Sequence, residues 1–448
     1  MLFHLMEPLR STHHRPTQSF RTLQQNLQRY DMATSDSSVD AHDFSNAALG
    51  GLRVLDLSRV IAGPWSAQVL ADLGADVIKV ERPRVGDDSR AWAPPYMRDR
   101  EGQQLDQAVQ FAASNRGKRS IELDLANPED AEVLRKLAAT ADVLIENYKV
   151  GTLDKYGFDY ATLSQSNPAL IYCSITGFGQ TGPYRDRPGY DTIMQGMSGL
   201  MSLTGHPDGE PGGGPLKTGL PVIDLATGLY AAIGILAALQ RRSVTGRGQL
   251  VDMALLDVGV ASLAHLGLRH LTGNGTPSRQ GNRLPMVAPT DAFVCRDGRV
   301  MVIVGNDRQF HSLCNVLDVV ELAEDERFAT NSQRLAHSVA LYERLDHAFR
   351  LIGTAECVDK CSRHGVPCGP IYDVSDVFDD PQVKARGLVQ WLAHPEQGEV
   401  PAIGSPVRLS ESSTQGLNAA PSLGQHTDEI KTALSRNAPL AWPQRRAG

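Results

Sequence analysis

The acid whose setting best suits chemistry is Asp224, in the run Leu220-Pro221-Val222-Ile223-Asp224-Leu225-Ala226-Thr227-Gly228. Pro221 suits a helix start, which places Asp224 in the first turn of an apolar helix. Backbone N–H groups there stabilise a carboxylate and, equally, an oxyanion forming beside it. The residues alone favour a plain capping acid, beside a helix start whose N–H groups suit an oxyanion, and promote Asp224 no further. Sulfur is the other chemical resource. Among six cysteines, Cys357, Cys361 and Cys368 fall close together with His364, while Cys173, Cys295 and Cys314 are scattered. A paired C-x2-C knuckle is missing, so the group reads as small buried thiols on and after a helix, with no metal site. Scattered cysteines in a long chain suit a reducing compartment.

Elements must hold these groups in place. Leu52 to Leu57 reads as an apolar strand, followed by Ala62-Gly63-Pro64, a helix through Leu73 that Gly74 ends, and a second strand at Val77 to Val80. This is the strand–helix–strand unit of a parallel sheet. Ser120 to Leu125, Asp142 to Ile145 and Ala169 to Ser174 continue as strands, and Asn127 caps a helix with Glu129 and Asp130 in its first turn. No G-x-G-x-x-G follows any strand, so a nicotinamide cofactor is not indicated. The Gly/Pro-rich stretch Gly205 to Pro221 is either a surface loop or a lid over a site. After the apolar helix 222–242, the turn Thr245 to Gly248 leads to Gln249 to Leu255. A strand at Val300 to Val304 and charged helices around 308–317 and 337–352 suggest a second, smaller unit.

The expected fold is therefore α/β, with a Rossmann-like large domain on a parallel sheet and a smaller α+β domain. A chain of 448 residues exceeds what one core usually serves. The expected parts are a leader (1–46), a large-domain segment (47–258), a small domain (259–394), a C-terminal return to the large domain (395–432) and a tail (433–448). The leader carries Arg10, Arg15, Arg21 and Arg29 against a single acid, Glu7, within its first 30 residues. That composition predicts a mitochondrial import segment, hence a matrix location, or a cytosolic one if synthesis starts at Met32. With a net charge of −7 and no basic block, the chain offers nucleic acid no footprint. Leu225 to Leu239, its longest apolar run, is short and reads as a buried helix, so no membrane insertion is expected.

Nine blocks in order then resemble one family. They are Val54 to Pro64, Leu73 to Glu81, Asn115 to Ser120, Glu146-Asn147-Tyr148, Ser174 to Pro183, Gly189-Tyr190-Asp191, Asp224 to Gly228, Gly365 to Pro370 and Leu423 to Thr427. Together they resemble the family III CoA-transferases, the CaiB–BaiF family, over roughly residues 50 to 432. The runs Ile171 to Gly177 and Asp224 to Tyr230 are similar to its mitochondrial, dicarboxylate-using members in particular.

The resemblance implies an activity and residue roles. Asp224 would be the nucleophile, passing through an aspartyl anhydride and an aspartyl-CoA thioester, with Asp191 orienting the acid or thioester as the alternative to capping a helix. Coenzyme A would be a co-substrate, with nothing tightly bound. Ile61, Ala62, Arg82, Leu123, Ala126, Asn147, Tyr148, Lys149 and Lys155 line up with CoA contacts. The donor would be succinyl-CoA and the acceptor glutarate or another dicarboxylate. The remote carboxylate of such an acid needs a cation, for which Arg59, Arg119, Arg283 and Lys217 are candidates. An interlocked homodimer is implied as well. A glycine-rich flap of some members has no tetraglycine counterpart here. Two other readings compete: proton transfer as in the α-methylacyl-CoA racemases, which carry His where this chain has Tyr190, and a non-catalytic CoA-binding protein. A tyrosine is a poor base near neutral pH, which favours transfer.

Overall fold

Val54 and Leu55 are neighbours on one strand, point to opposite faces, and are both fully buried. A strand of that kind lies in a sheet covered on both sides. A computed structural model describes residues 47–394, 398–412 and 418–436, so the leader and the end of the tail read from the sequence lie outside the described residues. Six strands form one sheet: β1 (Arg53–Asp56), β2 (Asp76–Glu81), β3 (Lys118–Glu122), β4 (Val143–Glu146), β5 (Ile171–Thr176) and β6 (Leu250–Ala254). Every pairing is parallel, and the spatial order is β3-β2-β1-β4-β5-β6. This is the doubly wound order whose direction reverses between β1 and β4, where open α/β sheets bind ligands.

Alternate residues feed the two layers of this sheet's core, one on each face. Val54, Val77, Val143 and Ile171 face α1 (Ala62–Asp72) and, through Ala231, Ile235 and Ala238, a helix of residues Val222–Thr245. Leu55, Ile78, Ile121 and Leu144 face α2 (Pro128–Thr140) and, through Ile430 and Ala433, the C-terminal helix of residues Thr427–Ser435. The cap of α2 is the predicted one: the Asn127 side chain accepts from the N–H groups of Glu129 and Asp130. The C-terminal segment returns to the large sheet and covers its β3 edge. Ser120 N–H donates to His426 Nδ1 at 3.1 Å and its carbonyl accepts from His426 N–H at 2.9 Å. Edge strands need such cover, since their open N–H and C=O groups invite foreign pairing.

Two later helices bear on the site: α3 (Asp191–Met197) and α4, the Val222–Thr245 helix already met. By length and composition α4 alone, among the described residues, would suffice to cross a membrane. The helix exceeds the short run read from the sequence because it begins at Val222 and continues past Leu239 to Thr245. One face packs on α1 and the sheet; Leu229, Tyr230 and Ile233 on another stand about half exposed or more.

Contact between α1 and α4 is close because Gly228 has no side chain. A Cβ there would lie 2.7 Å from the Ala62 carbonyl oxygen and 2.9 Å from Trp65 Cδ1. Gly228→Ala therefore forces the helices apart, and a loss of about 1–3 kcal/mol is expected in chemical denaturation. An unchanged midpoint would show that the helices part freely.

A second core belongs to a three-stranded antiparallel sheet of β7 (Thr290–Val294), β8 (Arg299–Ile303) and β9 (Cys368–Pro370), in the order β9-β8-β7. Helices α5 (Asp307–Val316), α6 (Ser338–Phe349) and α7 (Thr354–Arg363) pack against it, with Phe293 stacked on Phe349 at a ring separation of 4.3 Å. Chain order ends with α8, the helix of residues Thr427–Ser435.

Candidate active site

Asp224 is the third residue of α4, whose cap position is held by Pro221 with no side-chain cap of its own. The missing cap comes from another helix. Asp191, first residue of α3, places Oδ2 2.8 Å from the N–H of Ile223 and 3.2 Å from the N–H of Asp224. The expected alternative, that Asp191 caps the helix after Gly189-Tyr190, is corrected accordingly. Tyr190 holds that cap position, and Asp191 serves the helix of Asp224.

Two glycines make this possible. A Cβ on Gly189 would lie 2.4 Å from Gly177 Cα, so the chain leaving β5 comes back against itself and delivers α3 beside α4. Sequence reading missed Gln195, one turn along α3 and fully buried. Its Nε2 donates to Asp191 Oδ1 at 2.5 Å, and its Oε1 accepts from Thr218 N–H at 2.9 Å. It thereby ties Asp191 to the loop that enters α4. A glutamine carries no signal of such a role in a single sequence.

Among the described residues, no donor or cation meets the Asp224 carboxylate. The helix N–H groups that would lower its pKa are occupied by Asp191. Burial, and then the like charge of Asp191, push the Asp224 carboxyl up to about 7. Gly228 lies one turn further along α4 and touches Ala62. Four residues rise about 6 Å, so Asp224 stands roughly one turn above the start of α1, at the carboxyl end of the sheet.

The turn from β1 into α1 is unusual there. Val60 has φ 74°, in the left-handed region that β-branched residues avoid. Its N–H donates to Asp87 Oδ1 at 3.1 Å. Asp87 in turn pairs with Lys79 at 2.9 Å, both side chains fully buried, and Lys79 also donates to the Ser58 carbonyl at 2.9 Å. Lys118 joins from β3, pairing with Asp56 at 2.8 Å and donating to the Pro64 carbonyl at 2.9 Å. Burial alone would lower the pKa of Lys79, but Asp56, then Asp87 and Glu81, raise it instead, so it stays charged. Asp87→Ala removes the acceptor for Val60 and leaves Lys79 underpaired in a dry site. A destabilisation of about 3–5 kcal/mol is expected in denaturant titration; a loss below 1 kcal/mol would mean that Asp56 alone satisfies Lys79.

The expected ligand contacts sort by strand end. Ile61 and Ala62 follow β1, Arg82 follows β2, Leu123 and Ala126 follow β3, and Asn147, Tyr148 and Lys149 follow β4, all at carboxyl ends. Across the β1–β4 crevice, Asn147 Oδ1 accepts the Arg59 N–H at 2.9 Å while its Nδ2 donates to the Arg59 carbonyl at 2.7 Å. Arg59 lies over the Tyr148 ring and pairs with Asp88 at 2.8 Å; Arg82 holds the other oxygen of Asp88 at 2.6 Å. Lys155 is exposed on a short turn of residues Leu153–Tyr156.

The dicarboxylate cations separate. Arg119 is near the amino end of β3, where Asp76 takes it in two bonds and Glu429 in a third. That end is opposite the strand ends above, so within this chain Arg119 is a structural tie and leaves the candidate set. Arg283 pairs with Asp291 at 2.8 Å and lies over the Tyr342 ring in the second core. Lys217 is exposed on the loop that Gln195 anchors, its Nζ 3.2 Å from the Thr218 carbonyl. The Gly/Pro-rich loop is an exposed turn tied at its base, where Arg279 donates to the His206 and Ser202 carbonyls.

The chain's similarity to known proteins follows the same segments. The family model described as CoA-transferase family III matches residues 49–427. A succinate–glutarate CoA-transferase of Agrobacterium fabrum is 45% identical, over 88% of this chain and 98% of its own length. The succinyl-CoA:glutarate CoA-transferase of Homo sapiens is 39% identical, over 87% of this chain and 86% of its own. The crystal structure of a CAIB/BAIF family protein from Brucella suis superposes with a TM-score of 0.79 at 47% identity, covering 87% of this chain and all of that one.

Proposed function

This chain belongs to CoA-transferase family III, and we propose that it carries CoA from succinyl-CoA to glutarate, or to a closely related dicarboxylate, through covalent states of Asp224. Transfer of CoA between an acyl-CoA and a carboxylic acid is the activity its membership supplies. The choice of acids rests on the relatives, whose names pair succinate with glutarate.

The observation that carries the mechanism is an ionisable Asp224 with no donor or cation on it among the described residues, one turn above the α1 start. An Asp224 oxygen attacks the thioester carbonyl carbon of succinyl-CoA. The C–S bond breaks, and CoA thiolate leaves a mixed succinyl–aspartyl anhydride. The thiolate then attacks the aspartyl carbon, releases succinate and forms aspartyl-CoA. Glutarate attacks that thioester, thiolate leaves again, and its return to the glutaryl carbon yields glutaryl-CoA and regenerates Asp224. Each step exchanges one anionic leaving group for another, with no net proton and no water. Covalent storage keeps the thioester energy from hydrolysis. Racemisation has weaker support: the position before Asp191 is Tyr190, exposed and a poor base.

In this reading the strand-end residues Ile61, Ala62, Arg82, Leu123, Ala126, Asn147, Tyr148, Lys149 and Lys155 hold CoA, and Lys217 and Arg59 serve the remote carboxylate. Leu229, Tyr230 and Ile233 on α4, with Leu268 and Leu271, are exposed apolar side chains of the kind a second copy covers. A homodimer, and matrix delivery by the arginine-bearing leader, complete the proposal.

The test is chromatography of the products after mixing protein, succinyl-CoA and glutarate. Glutaryl-CoA formed in step with free succinate is expected. Transfer to other acids but not to glutarate would overturn the substrate choice. No transfer to any acid would overturn the reading altogether.

A further inference from the structure

The second core holds sulfur that CoA transfer does not use. Cys357 and Cys361 are four residues apart on α7, both fully buried, and so project to the same side of the helix. Cys368 opens β9, where it pairs with Val302 of β8. Their three Sγ atoms all lie within 4.8 Å of one another. Cys295, just past β7 and also buried, hydrogen-bonds Cys357. His364, grouped with them in the sequence, turns away: it is exposed, with Nδ1 2.8 Å from the Lys360 carbonyl.

We propose that Cys357, Cys361 and Cys368 form a binding site for one soft, closed-shell cation of the Zn2+ class, apart from the transfer site. Zn–S bonds of about 2.3 Å place tetrahedral sulfurs about 3.8 Å apart, and no two sulfurs on one ion further than about 4.6 Å. With no pair more than 4.8 Å apart, the thiols need to close by at most about 1 Å to reach the tetrahedral spacing. Thiolates are the donors that select such ions. The donor set comes from a helix and a strand about seven residues apart at the nearest, which is why no local knuckle marks it in the sequence. On binding, Zn2+ replaces the protons of the three thiols, three S–H bonds give way to three Zn–S bonds, and the protons pass to solvent. Cys295, which neighbours Cys357, is the candidate for the fourth position.

The experiment uses the full chain, reduced and freed of metal, with Zn2+ and Cd2+ as probes. Zn2+ is expected to bind at one equivalent, raise the melting temperature and release about three protons per ion in a weakly buffered titration. Cd2+ is expected to give a thiolate charge-transfer band that saturates at one equivalent and that Zn2+ removes. In the variant Cys361→Ser/Cys368→Ser the band should fall to baseline. A wild-type chain that gives neither the band nor proton release overturns the proposal. So does a band of full size in the double variant, which would place the metal elsewhere. The wild-type arms keep the test valid if the variant fails to fold, and none of them depends on acyl transfer, so failure here leaves the reading of Asp224 untouched.

Discussion

Asp224→Asn is expected to lower CoA transfer by roughly 10^4- to 10^6-fold, the scale seen when a nucleophile is removed from a covalent mechanism. Asparagine keeps the size and the helix position, and its amide cannot form the anhydride. Among the described residues the carboxylate makes no ion pair that the change would break, so acyl-CoA affinity should stay near wild type by calorimetry. Mass spectrometry of wild-type protein quenched after succinyl-CoA addition should find CoA joined to the peptide that contains Asp224, and none in the variant. Turnover within tenfold of wild type would remove Asp224 from the chemistry.

The variant should also differ in how its stability depends on pH. In the folded chain the Asp224 carboxyl is raised to about 7, against about 3.9 for an ordinary aspartate. A raised acid favours the folded state fully below its unfolded pKa, and that contribution is lost as pH climbs toward 7. Asp224→Asn has no such loss. Its melting temperature relative to wild type should therefore rise between about pH 4 and pH 7 and level off above.

Asp191 is expected to govern the pH at which the protein works. In the proposed mechanism ionised Asp224 is the attacking form, so kcat/KM should fall tenfold per pH unit below about 7. Burial is the larger cause of the raised value and Asp191 the second. Asp191→Asn removes the like charge and keeps an acceptor for the helix, so the acid limb should move part of the way toward lower pH. Asp191→Ala also abandons the Ile223 and Asp224 N–H groups. Loss of that cap should cost about 1–2 kcal/mol of stability, and the shift of the helix start about 10^2-fold in kcat. An acid limb in Asp191→Asn that coincides with wild type would show that the carboxylates do not interact.

Much of the architecture was legible in the residues. Paired apolar neighbours such as Val54 and Leu55 identify strands buried on both faces, and Asn127-Pro128-Glu129 marks a helix start by local capping chemistry. Such signals act within a few residues and so survive in one dimension. The motif blocks then placed Asp224 and the strand-end contacts, and the family match over residues 49–427 supports the resemblance they carried. What stayed hidden acts across long separations. Gln195 looks like any surface glutamine until the fold sets it between Asp191 and Thr218. Lys79 reads as a strand residue until Asp87 and Asp56 surround it in a dry interior, and Arg119 reads as a free cation until the sheet brings Asp76 and Glu429 to it.

By itself, then, the sequence determined the α/β class and the family, because these rest on local pattern and on motif blocks that keep their order along the chain. Only the tertiary structure decided that Asp191 caps the helix of Asp224 instead of its own, that the strained turn at Val60 hangs on a buried ion pair, and that Cys368 of β9 faces the two thiols of α7. Each of those depends on which elements the sheet order sets side by side, and burial turns that proximity into large electrostatic and ligating effects.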